Sequence, residues 1–189
     1  YGLPLMIGFF ALQFPAAENG DPLNGFICMG IGIDGGETAL MDIIHWRADL
    51  QRDIEEGFAD VQDIFPNIGV SIYPNLDSVT FRPAEAVGNE LASRSRSTPL
   101  ERLYAEGFGE LESRESVDAV GWGQWQEGKW KVIITRPLVS EDPLNSQLEP
   151  EQPTTLAIAA WDGGNQDVDG KKSVSSWLIL EVEGVRTDV

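Results

Sequence analysis

Leu156-Ala-Ile-Ala-Ala-Trp161-Asp-Gly-Gly-Asn-Gln-Asp-Val-Asp-Gly-Lys-Lys172-Ser-Val-Ser-Ser-Trp177 is the stretch around which the chain is organised. An apolar run closes on an aromatic, a loop rich in Gly, Asp and Asn turns the chain, and strand-like sequence resumes at Ser173. Two of the four lysines in the chain, Lys171 and Lys172, stand where the loop ends. Residues of one parity share a strand face, so Lys172 falls on one side with Val174, Leu178 and Leu180, interrupted only by Ser176. With no bulge between them, Lys172 points toward the core. A charged ammonium is costly there unless the amine is neutral and bonded to something. A metal is one such partner.

Outward from this stretch the chain reads mostly as short strands. Met6 to Phe14 is an apolar strand ended by Pro15. In 26–33 the odd positions Ile27, Met29, Ile31 and Ile33 form one apolar face, and a further strand runs from Ala39 to Trp46. Leu50, Ile54, Phe58, Val61 and Phe65 recur at helical spacing, predicting a helix over Leu50–Phe65 with Gln51 and the acids on its other face. Leu100–Ala105 reads as a short helical turn. A hairpin is clear: Ala119–Trp125, the turn Gln126–Lys129, then Trp130–Thr135. Ser140–Thr154 is an acidic loop, and the last strand runs from Ser173 to Val182. Many short strands with turn signals and few helices predict an antiparallel β-sandwich.

The 189 residues suffice for one domain with a substantial core. No run approaches the roughly 18 to 20 apolar residues of a membrane span. The apolar start lacks the basic flank of a signal peptide. A net charge of −18 and a pI near 4.2 speak against nucleic acid and anionic membrane surfaces as partners. With 31 acidic residues against 13 basic ones, such a surface needs salt to screen it. It fits either a halophile's protein or an ordinary acidic one. A single cysteine, Cys28, excludes an internal disulfide and the Cys-x-x-Cys-His attachment of c-type haem. The single histidine, His45, excludes bis-histidine haem ligation. It is assigned no catalytic role, and a contact near a haem stays open for it.

Several segments together resemble the haem-binding gamma subunits of the type II dimethyl sulfoxide reductase family, which accompany ethylbenzene dehydrogenase, chlorate reductase and related nitrate enzymes. Trp161-Asp162-Gly163-Gly164 followed by Gly170-Lys171-Lys172-Ser173-Val174-Ser175-Ser176-Trp177 is similar to that family's Trp-Asp-Gly-Gly and Gly-x-Lys-Ser-(Val/Ile)-Ser-x-Trp. So are Phe26-Ile27-Cys28-Met29-Gly30, Met41 to Asp49, Phe81 to Asn89, and Gly123 to Leu138 with Trp125, Gly128, Trp130 and Arg136. The resemblance spans roughly Ala11 to Val182 and is weakest over Leu50–Asn67. The family's domains have strands before this point, so the chain is expected to begin inside a longer precursor.

The resemblance implies a single immunoglobulin-like or DOMON-like β-sandwich over 1–189. It implies one non-covalent b-type haem, with Met29 and Lys172 as axial ligands and Phe26, Trp46, Asn89 and Trp161 as haem-contacting residues. It further implies an iron–sulfur beta subunit, a molybdenum-cofactor alpha subunit and an external redox partner, outside the cytoplasm.

A thioether favours Fe(II) and raises the reduction potential, while an amine must lose its proton to bind. With both axial positions filled, the iron serves electron transfer, and no independent enzyme activity is expected. Respiratory nitrate reduction in a halophile is the preferred assignment. Lys171, of opposite parity, competes with Lys172 for the ligand role, and Met41 and Met6 compete with Met29. A calcium-stabilised β-sandwich binding module for carbohydrate is the other reading. It rests on Asn165-Gln166-Asp167-Val168-Asp169-Gly170, which matches the first half of an EF-hand loop but has Ser176 where the bidentate acid belongs. No nucleophile elbow and no Gly-rich phosphate loop is present.

Overall fold

The computed structural model describes residues 8–16, 39–57, 96–107, 109–114 and 117–184. The strand expected within 26–33 and most of the stretch beyond Gly57 lie outside them. In chain order the elements are β1 (Gly8–Pro15), β2 (Met41–Arg47), α1 (Ala48–Glu56), β3 (Leu100–Ala105), β4 (Leu111–Arg114), β5 (Val120–Gln126), β6 (Lys129–Thr135), β7 (Thr154–Asp162), β8 (Ser173–Val174) and β9 (Leu178–Leu180). The main sheet has the order β4-β3-β2-β1-β7-β8, with β9 also on β7, while β5 and β6 form a separate pair. All the pairings are antiparallel. The sandwich expected from the sequence is the observed architecture.

Alternation along β1, β2 and β3 gives the sheet two different faces. Phe10, Leu12, Phe14, Ile44, Trp46 and Leu100 lie on one, and the β5–β6 hairpin covers them with Trp130, Val132 and Ile134. This is the hairpin face. The second face carries Ala11, Met41, Ile43, Leu103 and Ala105, with Ala159, Trp161 and Trp177 packed against them. The hairpin turns through Glu127 and Gly128, both at positive φ (51° and 78°). That geometry matches the right-handed twist of the two strands. Gly123 faces Trp46 so closely that an added Cβ would clash with its ring, and Trp46 stacks edge-on to Trp130 at 4.9 Å.

Two expectations need correction. The helix begins at Ala48 and ends at Glu56, where Gly57 takes a φ of 91°; Phe58 and the later residues of the expected helix lie outside the described residues. Gln51 does not face solvent with the acids. It is buried, and its Oε1 accepts from Trp46 Nε1 (3.0 Å) and from the Gly123 N–H (2.7 Å). Its Nε2 donates to the Gly123 carbonyl at 2.7 Å, so one side chain joins α1, β2 and the hairpin.

Leu100–Ala105 is strand β3 and not a helical turn. Its central Glu101-Arg102 pair hides the alternation, because both charges are buried on opposite faces. Glu101 stands opposite His45, and Arg102 opposite Ile44.

Arg102 is the anchor of the hairpin face. Its Nε and one terminal nitrogen donate to the two oxygens of Asp42 at 2.9 and 2.7 Å, and its other nitrogen donates to Asp118. Asp42 Oδ2 also accepts from the Ser146 N–H (2.8 Å) and the Ser146 hydroxyl (2.9 Å). Nearby, Tyr104 donates to Asn145. Burial, with Asp142 and Asp42 close by, pushes the Tyr104 hydroxyl up to about 12, so it remains a donor at neutral pH. The acidic loop before β7 is therefore pinned to the sheet by polar groups.

Removing one partner of a buried pair leaves the other charge uncompensated. Arg102→Met is expected to lower the unfolding free energy by about 3–5 kcal/mol in denaturant titrations. The double variant with Asp42→Leu should recover most of that loss; a double variant as unstable as the single would contradict this account.

Candidate functional site

Beyond the turn at Gly163–Asn165 the chain returns to β7 in two pieces. In β8, Val174 stands opposite Ala159 and Ser173 opposite Ala160. In β9, Leu178 stands opposite Leu156 and Leu180 opposite Thr154. Three residues, 175–177, thus face two, 157–158, so the returning strand carries a one-residue bulge. Ser175 repairs the ladder there. Its N–H donates to the Ile158 carbonyl and its hydroxyl oxygen accepts from the Ile158 N–H, both at 2.9 Å. The uninterrupted last strand expected from the sequence is therefore broken, and its single apolar side is divided. Val174 goes with Ala159 to the second face, whereas Leu180 packs into the hairpin-face core. Trp177 joins the second face.

Lys172 precedes β8 by one residue and is half-buried. Its Nζ lies 5.1 Å from the centroid of the Trp161 ring and donates to the Asp169 carbonyl at 3.3 Å. Asp169 also accepts from Trp161 Nε1 at 3.0 Å. Lys171 is exposed and committed elsewhere, to the Asn165 carbonyl and to Asp167 Oδ1 (3.0 Å). The Asp167 carboxyl is held below its ordinary range, first by the Asp162 N–H it accepts from and then by Lys171. Asp162 is likewise occupied, by the Gly164 N–H and by Asn165. The carboxylates of Asp162 and Asp167 thus serve the loop's own donors. Among the described residues no group of three or more His, Cys, Asp or Glu is placed to hold a metal ion.

Trp161 belongs to an aromatic group on the second face. Its ring centroid lies 5.3 Å from that of His45 and 6.4 Å from that of Phe9, and Phe9 lies 5.8 Å from His45. His45 Nδ1 sits 3.2 Å from Glu101 Oε2, an oxygen that also accepts from Arg47 at 3.3 Å. Arg47 is further gripped by both oxygens of Asp49. Burial alone would push the Glu101 carboxyl up. The hydrogen bond from His45 and the charge of Arg47 outweigh it and hold the carboxyl below its ordinary range. Burial likewise works against the Arg47 charge, and Asp49 and Glu101 overcome it. On the far edge of the imidazole, His45 Nε2 is buried with no hydrogen-bond partner.

Of the residues expected at a haem, Lys172 and Trp161 are brought together. Trp46 lies on the hairpin face, in the core with Trp130 and Gln51, apart from the Lys172 group. Met29, Phe26 and Asn89 lie outside the described residues. Phe9 and Glu101 are members of the group that the sequence did not single out, and they stand beside His45, for which the sequence leaves a contact near a haem open. Their association depends on the register of β1, β2 and β3, and no local spacing announces it. Aromatic walls, an amine and a buried nitrogen without a partner suit a planar, largely apolar group that takes nitrogen ligands. The chemistry of these described residues fits a haem.

The profile of the family described as "Ethylbenzene dehydrogenase" matches residues 9–173. The chain is similar to the chlorate reductase subunit gamma of Ideonella dechloratans, 32% identical over 73 residues, 39% of this chain and 30% of that protein. It is also similar to a putative respiratory nitrate reductase heme subunit of Haloferax mediterranei, 27% identical over 77 residues, 41% of this chain and 28% of that protein. The matched part is thus less than a third of either relative's own length.

A carboxyl held below its ordinary value of 4.5 contributes stability that is complete above that value. The contribution is lost as the pH falls through the lower folded value. Glu101→Gln is therefore expected to melt lower than the wild type near neutral pH and to lose less on acidification. Melting temperatures at about pH 7 and about pH 3 check this, and equal acid losses in the two proteins would exclude it.

Proposed function

The chain belongs to the ethylbenzene dehydrogenase family, and from that premise we propose that it is an electron-transfer subunit holding one non-covalent b-type haem between Met29 and Lys172. The observation that carries this reading is the placement of Lys172, half-buried over Trp161 on the aromatic second face, inside a segment the family profile matches. Lys171 is occupied by Asp167, which favours Lys172 as the amine ligand. A bound haem would supply one-electron exchange, and Met29 and Lys172 would hold it, so the chain's task would be to bind and insulate it. To bind iron, Lys172 would have to give up a proton and its Asp169 carbonyl partner. Trp161 and Phe9 would supply apolar walls for such a group.

The partners in this proposal are an iron–sulfur beta subunit and a molybdenum-cofactor alpha subunit, with an external electron donor or acceptor outside the cytoplasm. The names of the two relatives support such an assembly. Among the described residues no helix is long and apolar enough to cross a membrane. Nitrate respiration in a halophile is the preferred setting. Its support is the net charge of −18 and the Haloferax mediterranei relative.

Two measurements test these statements. The purified protein is expected to show a low-spin Soret spectrum with haem extractable by acidified organic solvent. Met29→Ala should remove the thioether-to-iron charge-transfer band; an unchanged spectrum would take Met29 out of the ligand set. Haem retention and melting temperature are expected to rise from dilute buffer to molar salt, where the Debye length is about 3 Å. Equal stability at both ends would withdraw the halophile reading, and with it the preference for nitrate.

A further inference from the structure

Four buried side-chain atoms among the described residues lack a hydrogen-bond partner: His45 Nε2, Arg96 Nε, Thr98 Oγ1 and Thr155 Oγ1. Two are hydroxyls, and Arg96 is engaged through another nitrogen, which donates to the Leu100 carbonyl. His45 Nε2 is the only ring nitrogen in the set. Buried polar atoms left unpaired are uncommon in native proteins and costly to keep. This one therefore points to a group that meets it when the site is filled.

The other ring nitrogen indicates what kind of group. An ionised carboxylate can only accept, so Nδ1 at 3.2 Å from Glu101 Oε2 carries the proton. In the neutral ring Nε2 is then a lone pair. Glu101 is itself fixed by Arg47, which is clamped by Asp49. The imidazole is thus set in tautomer and orientation before any ligand arrives. A histidine whose far nitrogen donates to a carboxylate is the usual arrangement behind metal-bound imidazole, and the carboxylate strengthens the ligand. The imidazole lies on the sheet face that carries Trp161, and both His45 and Lys172 pack on that indole. Two nitrogen donors therefore reach the same aromatic residue from two strands, β2 and the approach to β8.

We propose that His45 is a second nitrogen ligand for the haem iron, held ready by Glu101, and that it binds the iron when Lys172 does not. The inference rests on the haem reading above but assigns a residue that neither the relatives' names nor the ligand motif includes. The iron in this chain would then keep six ligands through loss of the amine, since a single histidine suffices for that role. The bond made is Nε2 to iron and the bond lost is Nζ to iron. The oxidation state does not change.

The test uses the haem-loaded protein in three forms, the wild type, Lys172→Ala, and Lys172→Ala with His45→Gln, read by electronic absorption and by paramagnetic resonance of the ferric state. Gln keeps an amide that can donate to Glu101 but offers no imidazole. Lys172→Ala is expected to stay low-spin with altered g-values, and the double variant to become high-spin. Added imidazole should return the double variant to low-spin, which shows that its haem pocket is folded. If the double variant does not hold haem, Glu101→Gln in the Lys172→Ala background serves instead, with a mixture of spin states expected. A high-spin Lys172→Ala protein, or a low-spin double variant, overturns the proposal while leaving the haem reading intact. A wild-type protein that binds no haem overturns both.

Discussion

Asp42 has no exposed surface, and its two oxygens are met by Arg102 and Ser146. That buried pair fixes which side of β2 is which. A shift of one residue in the pairing of β2 would carry every side chain to the other face. It would place Asp42 without Arg102 and move His45 away from Trp161. The hydrophobic pattern of β2 could not enforce this alone, because Met41, Ile43 and Ile44 are all buried and apolar on both faces. A pair that costs desolvation and adds little net stability can still specify register in this way. The same carboxylate holds Ser146, so the acidic loop before β7 is positioned by the interaction that sets the strand.

The two faces consequently differ in kind. On the hairpin face, large side chains close the core, and Gln51 bridges helix, strand and hairpin. On the second face Met41, Ile43 and Leu103 pack with Ala11 and Ala105, beside an aromatic group that contains two nitrogen donors. Trp46 and Trp161 sit in similar-looking aromatic segments yet serve opposite faces. Trp46 fills the space left by Gly123, and Trp161 offers its ring to Lys172.

The sheet and the hairpin were legible because their signals are local: a two-residue turn with glycine, and alternation along β6. β3 was misread because consecutive charges, Glu101 and Arg102, do not look like core residues until their partners in β2 are known. Gln51 was misread for the same reason, three of its hydrogen bonds going to Trp46 and Gly123 on two other elements. At the site, the Trp-Asp-Gly-Gly and Lys-Ser-Val-Ser segments were legible as a motif. The parity argument for Lys172 assumed an unbroken strand. The bulge shows why its apolar companions divide between the two faces. The motif's second serine, Ser175, has a physical role in that bulge.

That extra residue separates two duties along one return strand. β9 sends Leu180 into the core under the hairpin, while the segment just before β8 holds Lys172 over Trp161. In an uninterrupted strand the two would share a side, and any change that improved packing at one end would tug the other. With the spare residue between them, each half answers to its own neighbours. Sequence drift in the core half can alter stability, and drift in the loop half can alter what the amine meets, each with little effect on the other. A domain arranged in this way can keep its framework while relatives retune the potential of whatever is bound.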